Sequence, residues 1–226
     1  MTQKEHHSGR KTKHDENHEV IDVFPQSVSM LNMPFEHTNL QDVFNTVIKP
    51  RNTEVNTRDK KLRHHHNNEN VLDLYPILHQ VRDDILEGAN FIYREILNKR
   101  STLKLTNAWF NECDVGGSQN FHNHCNSTLS GTYYINTDKN THITFESPYH
   151  HPSNTCNSIQ DECARLRPNR FGYNYHQNYC TIPVEKNMCL FWESYLHHGY
   201  VNNQTPNRLS LSFNLLPDQV SHNYKI

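Results

Sequence analysis

The sequence predicts a mainly β protein with flanking helices, a double-stranded β-helix (jelly roll) braced by N-terminal helices. Two patterns carry that expectation. From Thr102 onward, apolar residues recur at every second position in short runs broken by Asn, Gly, Pro and Asp, as in antiparallel strands. Ahead of them stand two stretches of helical spacing, so helices precede the strands instead of alternating with them. The length of 226 residues suits one barrel or sandwich core, and a second domain is not expected.

Hydrophobic residues make up 34% of the chain and mean hydropathy is −0.88, low for a globular protein. The deficit falls in two places. Residues 1–18 are almost devoid of apolar side chains and are expected to be a disordered polar tail, which leaves 19–226 as the single domain. Residues 49–70 hold only Val55 and Leu62 and are expected to form a mobile basic loop.

Taken in order, Thr38 or Asn39 can cap a first helix in which Leu40, Val43, Phe44, Val47 and Ile48 recur at helical spacing until Pro50 stops it. A longer helix follows, with Asp73 as cap, Pro76 in its first turn, and Ile77, Leu78, Val81, Ile85, Ala89, Ile92 and Ile96 as one apolar stripe to about Asn98. Such a stripe covers a sheet. Strands are expected over 103–110, 129–136, 142–146, 173–184, 188–192 and 209–215. The interval 147–172 has three prolines, two cysteines and no period, and is expected to be a lid loop. Its adjacent His150 and His151 read as exposed loop residues.

Charge and cysteine usage exclude several classes. A formal charge of −2 gives no global field for nucleic acid, and the local basic cluster from Lys49 to His66 has no interleaved aromatic residues for base stacking, so a nucleic-acid partner is disfavoured. No signal peptide opens the chain and no apolar run approaches the roughly 20 residues that cross a membrane. A soluble, cytoplasmic protein is expected, in a host cytoplasm if the source is viral. The six cysteines show no Cys-x-x-Cys spacing and are expected as reduced thiols.

The chemistry concentrates in three segments. In Phe121-His122-Asn123-His124, followed by Leu129-Ser130-Gly131-Thr132-Tyr133-Tyr134, strand alternation points His122 and His124 the same way, so they can share one metal ion. With 18 histidines in the chain, one His-x-His pair alone is weak evidence. The aromatic strand Phe191-Trp192-Glu193-Ser194-Tyr195-Leu196 ends in His197 and His198, and a third ligand is available there. Ten residues on, Arg208, Ser210 and Ser212 share one face of an alternating strand. Trp109, Gln119 and Tyr134 are candidates to line the pocket, although each also reads as ordinary barrel packing.

These segments resemble the Fe(II)- and 2-oxoglutarate-dependent oxygenases, and in particular a prolyl-hydroxylase-like branch found in phages and bacteria. The resemblance rests on Val23-Phe24-Pro25, His122 to Tyr134, Phe191 to His198 and Arg208 to Asn214, spanning roughly residues 20 to 216. It implies that His122, His124 and His198 ligate Fe(II), with His198 preferred over His197 by its ten-residue offset to Arg208. It implies that Arg208, Ser210 and Tyr133 hold the 2-oxoglutarate co-substrate. The implied activity is a dioxygenase that uses O2, releases succinate and CO2, and hydroxylates a peptide or protein side chain or a small molecule. His124 stands where the wider superfamily has a carboxylate, so either His124 or a water completes the metal set.

Two other readings fit part of the pattern. Gly116 ahead of His122-x-His124 matches half of a cupin signature, which would make a three-His metal dioxygenase or isomerase that does not use 2-oxoglutarate, but Thr128 and Leu129 stand where the expected glutamate belongs. A non-enzymatic jelly roll, either a binding module or a viral structural one, is the third reading. Neither needs the Arg208-x-Ser210 pair.

Overall fold

The computed structural model describes residues 26–35, 38–51, 53–148, 174–176 and 179–218. The tail at 1–18 and all of the expected lid at 147–172 except its first two residues lie outside them. Twelve strands form among the described residues: β1 (Val28–Asn32), β2 (Glu54–Val55), β3 (Leu62–His65), β4 (Leu103–Cys113), β5 (Gln119–His122), β6 (Leu129–Asn136), β7 (His142–Glu146), β8 (Asn174–His176), β9 (Tyr179–Pro183), β10 (Met188–Glu193), β11 (His198–Tyr200) and β12 (Arg208–Pro217). They pair antiparallel in two sheets, one ordered β1-β10-β6-β12-β4-β3-β2 and the other β5-β11-β7-β9-β8. This is the expected jelly roll.

The helices brace the larger sheet. Asn39 caps α1 (Leu40–Val43) by accepting from the Asp42 N–H, and the segment continues as a π-helical turn over Phe44–Ile48. Asn70, not Asp73, caps the second helical region, which runs through α2 (Val71–Leu74), a 3-10 turn at Pro76–Leu78, α3 (His79–Phe91) and a π turn at Ile92–Ile96. The buried stripe is narrower than the sequence suggested. Leu78, Val81, Ile85, Ala89 and Ile92 are buried, while Ile77 and Ile96 lie exposed at its ends.

The main hydrophobic core therefore lies outside the sandwich. It joins the helical stripe to Phe110, Tyr133, Phe191 and the odd-numbered residues Leu209, Leu211, Phe213 and Leu215 of β12. The even-numbered residues Arg208, Ser210, Ser212 and Asn214 point to the other side and line a cavity between the sheets. Two smaller apolar clusters flank that cavity, one around Tyr134, Phe145 and Trp192, the other around Leu62, Cys113 and Tyr200.

Gly131 shows how tightly β6 is packed. A Cβ there would stand 2.4 Å from the Phe213 ring and 2.7 Å from the Leu190 carbonyl oxygen, closer than either neighbour can yield. Gly131→Ala should destabilise the protein by about 1–3 kcal/mol, the usual cost of overpacking. At about 2–4 °C per kcal/mol for a chain of this size, a melting curve should show a drop of several degrees. An unchanged midpoint would mean that β6 and β12 are looser than described.

Two expectations are corrected. The stretch 49–70 is not a mobile loop throughout, because it carries β2 and β3, and β3 pairs along β4 with Arg63 opposite Glu112 and His64 opposite Asn111. Its cations are matched by acids some 50 to 60 residues away in sequence. The Arg63 guanidinium binds both oxygens of Asp114 at 2.7 and 2.8 Å and its Nε donates to Glu112 at 2.9 Å, while Lys49 Nζ lies 2.6 Å from the same carboxylate. Burial alone would raise the Glu112 carboxyl, but His65, Lys49 and Arg63 outweigh it and hold it well below the usual carboxylate range. The other correction is at 173–184, where two strands, β8 and β9, pair with each other instead of one long strand.

Of the cysteines, Cys113, Cys125 and Cys189 are free thiols. No helix among the described residues is long and apolar enough to cross a membrane.

Candidate metal centre and its cavity

His122 is the last residue of β5 and pairs directly with His198, the first residue of β11. Two residues past the end of β5, the backbone N–H of His124 donates to the Ser194 carbonyl at 2.9 Å, and this docks the chain beside the same site. β5 and β11 come so close that a Cβ on Gly199 would lie 2.6 Å from the Gln119 carbonyl, so the residue after His198 has to be glycine.

The three imidazoles converge. Their candidate ligand atoms all lie within 4.8 Å of one another, and the Nε2 atoms of His124 and His198 are 3.3 Å apart. The Nδ1–H of His122 donates to the Asn120 carbonyl and that of His198 to the Leu196 carbonyl, both at 2.9 Å. Those bonds fix the tautomer and leave Nε2 as the lone-pair nitrogen of each ring, the outer-sphere arrangement that orients metal ligands. Burial, then the nearby His122, pushes His198 down to about 3 and His124 down to about 4; burial also lowers His122. All three rings are therefore neutral near pH 7. Three neutral imidazoles with candidate ligand nitrogens this close suit a divalent cation, and three ligands leave further positions open. His197 is not part of this group; it is half exposed and lies 3.2 Å from Glu146.

The cavity, about 310 Å³, runs along β12 from Arg208 to Asn214 past the three histidines. At one end Arg208 is 4% exposed and has no carboxylate within ion-pair distance among the described residues. Its guanidinium carbon sits 3.6 Å from the centre of the Tyr200 ring, a stacked cation–π contact that fixes the plane of the fork. The Tyr134 hydroxyl beside it is buried without a hydrogen-bond partner, and burial pushes its phenol up to about 12, so it remains a donor. The Trp192 indole N–H is likewise buried and unpartnered. A buried cation and unused donors on one cavity make a site that demands an acceptor.

The larger-sheet wall of the cavity, on which Arg208 also lies, is locked beyond it. Asn111 accepts from Trp109 Nε1 at 3.0 Å, faces His64 Nδ1 at 2.7 Å and donates to Ser212 at 2.9 Å, and Ser212 is bonded in turn to Thr132.

Of the residues singled out from sequence, His122, His124, His198, Arg208, Ser210, Trp109, Gln119 and Tyr134 all line this one cavity. Tyr133 does not. It faces the helix side of β6, packs on Phe35 at 4.4 Å and donates its hydroxyl to Asn187 at 2.8 Å. Parity along β6 decides the matter, because Tyr134 shares a face with Ser130 and Thr132, and Tyr133 with Leu129. Sequence reasoning passed over Tyr200 and Trp192 as site residues; Tyr200 lies two positions from His198 on β11, so strand alternation could have found it, whereas Trp192 lies on β10 beyond a turn and gave no such signal. It missed His64 because that residue stood in the presumed loop.

A family model described as 2OG-Fe(II) oxygenase matches residues 107–214, the interval that holds the histidines and Arg208. No curated protein matches the sequence. Among solved structures, HygX from Streptomyces hygroscopicus with nickel and 2-oxoglutarate bound superposes with a TM-score of 0.55 at 12% identity, covering 85% of this chain and 84% of that one. The non-heme alpha-ketoglutarate-dependent epimerase SnoN from nogalamycin biosynthesis gives 0.58 at 11% identity, over 85% and 77%. A Pseudomonas putida prolyl-4-hydroxylase gives 0.53 at 9% identity, over 86% and 94%. At these identities the likeness is one of fold.

Proposed function

We propose that the chain, whose residues 107–214 match a 2OG-Fe(II) oxygenase family model, is a 2-oxoglutarate-dependent hydroxylase whose iron is held by His122, His124 and His198. The observation that carries this reading is the buried, acid-free Arg208 guanidinium, stacked on Tyr200 in the same cavity as three converging neutral imidazoles. A cupin or a passive jelly roll gives that cation no counter-ion. A dicarboxylate supplies one.

When bound, Fe(II) with 2-oxoglutarate and O2 supplies the oxidative chemistry, releasing succinate and CO2 and hydroxylating a C–H bond. The chain's own residues bind, orient and exclude water. His122 and His198 present Nε2 because backbone carbonyls hold their Nδ1 protons. Arg208 offers a planar two-donor fork to the remote carboxylate, and Ser210 and the protonated Tyr134 hydroxyl add donors from the same face. Tyr134 thus takes the co-substrate role that the family resemblance gave to Tyr133. Trp109 and Trp192 wall the cavity with apolar surface.

The test is anaerobic addition of Fe(II) and 2-oxoglutarate to the purified protein. A weak visible charge-transfer band is expected, and succinate should form on admitting O2. A metal-loaded protein with no band would shift the reading to a cupin-type enzyme.

A further inference from the structure

At its far end the cavity opens beside His124 into a second, shallower trough of about 500 Å³ lined by Asn68, Thr106, Asn107, Asn126, Asn214 and Leu216, among others. Asn107 and Asn214 belong to both spaces and so form the neck between them. They are direct cross-strand partners on β4 and β12, so their side chains stand side by side on one face. Each amide oxygen is already engaged, that of Asn107 by the Thr106 hydroxyl at 3.0 Å and that of Asn214 by the Ser130 hydroxyl at 2.8 Å. Two NH2 groups are left facing the neck as donors. Asn68 and Asn126 on the exposed part of the trough add carboxamides with no hydrogen-bond partner among the described residues.

Charge and ring content narrow what this path accepts. Apart from Arg208 at the closed end, neither space is lined by Asp, Glu, Lys or Arg among the described residues. An ionic substrate would lose hydration there without gaining a counter-charge, and an apolar one would strand the amides. Nucleic acid needs cations for its phosphates and rings for its bases, and the described trough offers no cation and no ring but His124. The one ring among the described lining residues of the trough is the His124 imidazole, which the proposed metal engages, so a sugar would find no free aromatic face to lie on. A carbonyl oxygen has two lone pairs for the two neck donors, and a peptide backbone repeats the donor and acceptor that carboxamides match.

Building on the oxygenase reading, we propose that the substrate is an uncharged stretch of peptide that enters along the asparagine trough and is held at the neck by a backbone carbonyl accepting from Asn107 and Asn214. The clamp sets which residue of the peptide is presented beside His124. Specificity then lies in backbone register and in the absence of charge near the reacting residue.

The experiment uses the full chain loaded with Zn(II) and 2-oxoglutarate, which is diamagnetic and does not turn over. Saturation-transfer NMR is recorded with four probes: a pool of end-capped hexapeptides of uncharged residues, the same pool carrying flanking Asp, the same pool carrying flanking Lys, and maltohexaose. The uncharged pool should bind, and the other three should bind at least about tenfold more weakly. Asn107→Asp and Asn214→Asp keep the side-chain shape but replace the donors by an acceptor, and each should weaken the uncharged pool at least about tenfold. Asn126→Asp, at an exposed position whose side chain has no hydrogen-bond partner among the described residues, should weaken it several-fold. Failure of the uncharged pool to bind, equal binding of charged pools, preference for maltohexaose, or wild-type affinity in the neck variants at an unchanged melting temperature would each overturn the proposal. The 2-oxoglutarate affinity of the same samples separates the two levels. If the wild type binds 2-oxoglutarate but no peptide, only the substrate inference fails; if it binds no 2-oxoglutarate, the oxygenase reading fails.

Discussion

His198→Ala is expected to yield a folded protein that retains no iron after desalting and forms no succinate. Outer-sphere partners of a metal ligand are already worth roughly 10–100-fold in metal affinity. Removing a ligand whose ring is locked by the Leu196 carbonyl and lies 3.3 Å from His124 should cost more than that. His122→Ala should behave alike. His197→Ala should keep its iron, because that ring is occupied with Glu146 outside the cluster. The readout need not be activity, since the only two tryptophans in the chain, Trp109 and Trp192, both line the cavity, and Trp192 lies 4.7 Å from His198. Titrating Co(II) into the apo-protein should therefore quench tryptophan emission in the wild type and in His197→Ala, but not in His198→Ala. Full iron in His198→Ala would refute the assignment of the distal ligand. His124→Asp converts the set to two histidines and a carboxylate, the commoner facial arrangement, and should still load iron.

The second large effect concerns the co-substrate. A charge-assisted hydrogen bond contributes on the order of 1.5–3 kcal/mol, and each 1.4 kcal/mol is tenfold in affinity, so Arg208→Ala should raise the 2-oxoglutarate requirement at least about tenfold. Iron content should not change, because the guanidinium contacts Tyr200 and Tyr134, not the histidines. Arg208→Lys keeps the charge but loses both the planar fork and the stacking on Tyr200, so it should fall between wild type and alanine. A wild-type 2-oxoglutarate midpoint in iron-loaded Arg208→Ala would remove the clamp and most of the case against a cupin.

What was legible in the sequence follows from where the information sits. β6 and β7 were read to the residue because period-two alternation is local and turn residues bound both runs. The histidines and Arg208 were legible because His122 and His124 stand two residues apart in one short segment and Arg208 opens a strand whose polar and apolar residues alternate as far as Leu215. β3 was not. Arg63, His64 and Lys49 look like a solvated run until Glu112 on β4 and Asp114 just past its end, far along the chain, are brought beside them. The Tyr133 error was avoidable. A family motif names a pair of tyrosines, but the polar residues Ser130 and Thr132 already mark which of the two shares the cavity face. The neck formed by Asn107 and Asn214 could not be seen at all, since a pairing across 107 positions leaves no trace in spacing.

The placement of the core behind the larger sheet divides the labour of β12 by parity. Leu209, Leu211, Phe213 and Leu215 tie the sheet to the helices, while Arg208, Ser210, Ser212 and Asn214 face the chamber and carry little of the apolar packing. Substitutions at the even positions therefore act on what the chamber holds, and those at the odd positions on the tie between sheet and helices. An engineer can use the same division, provided that replacements at 212 and 214 keep a hydroxyl or amide for their partners Asn111, Thr132 and Ser130.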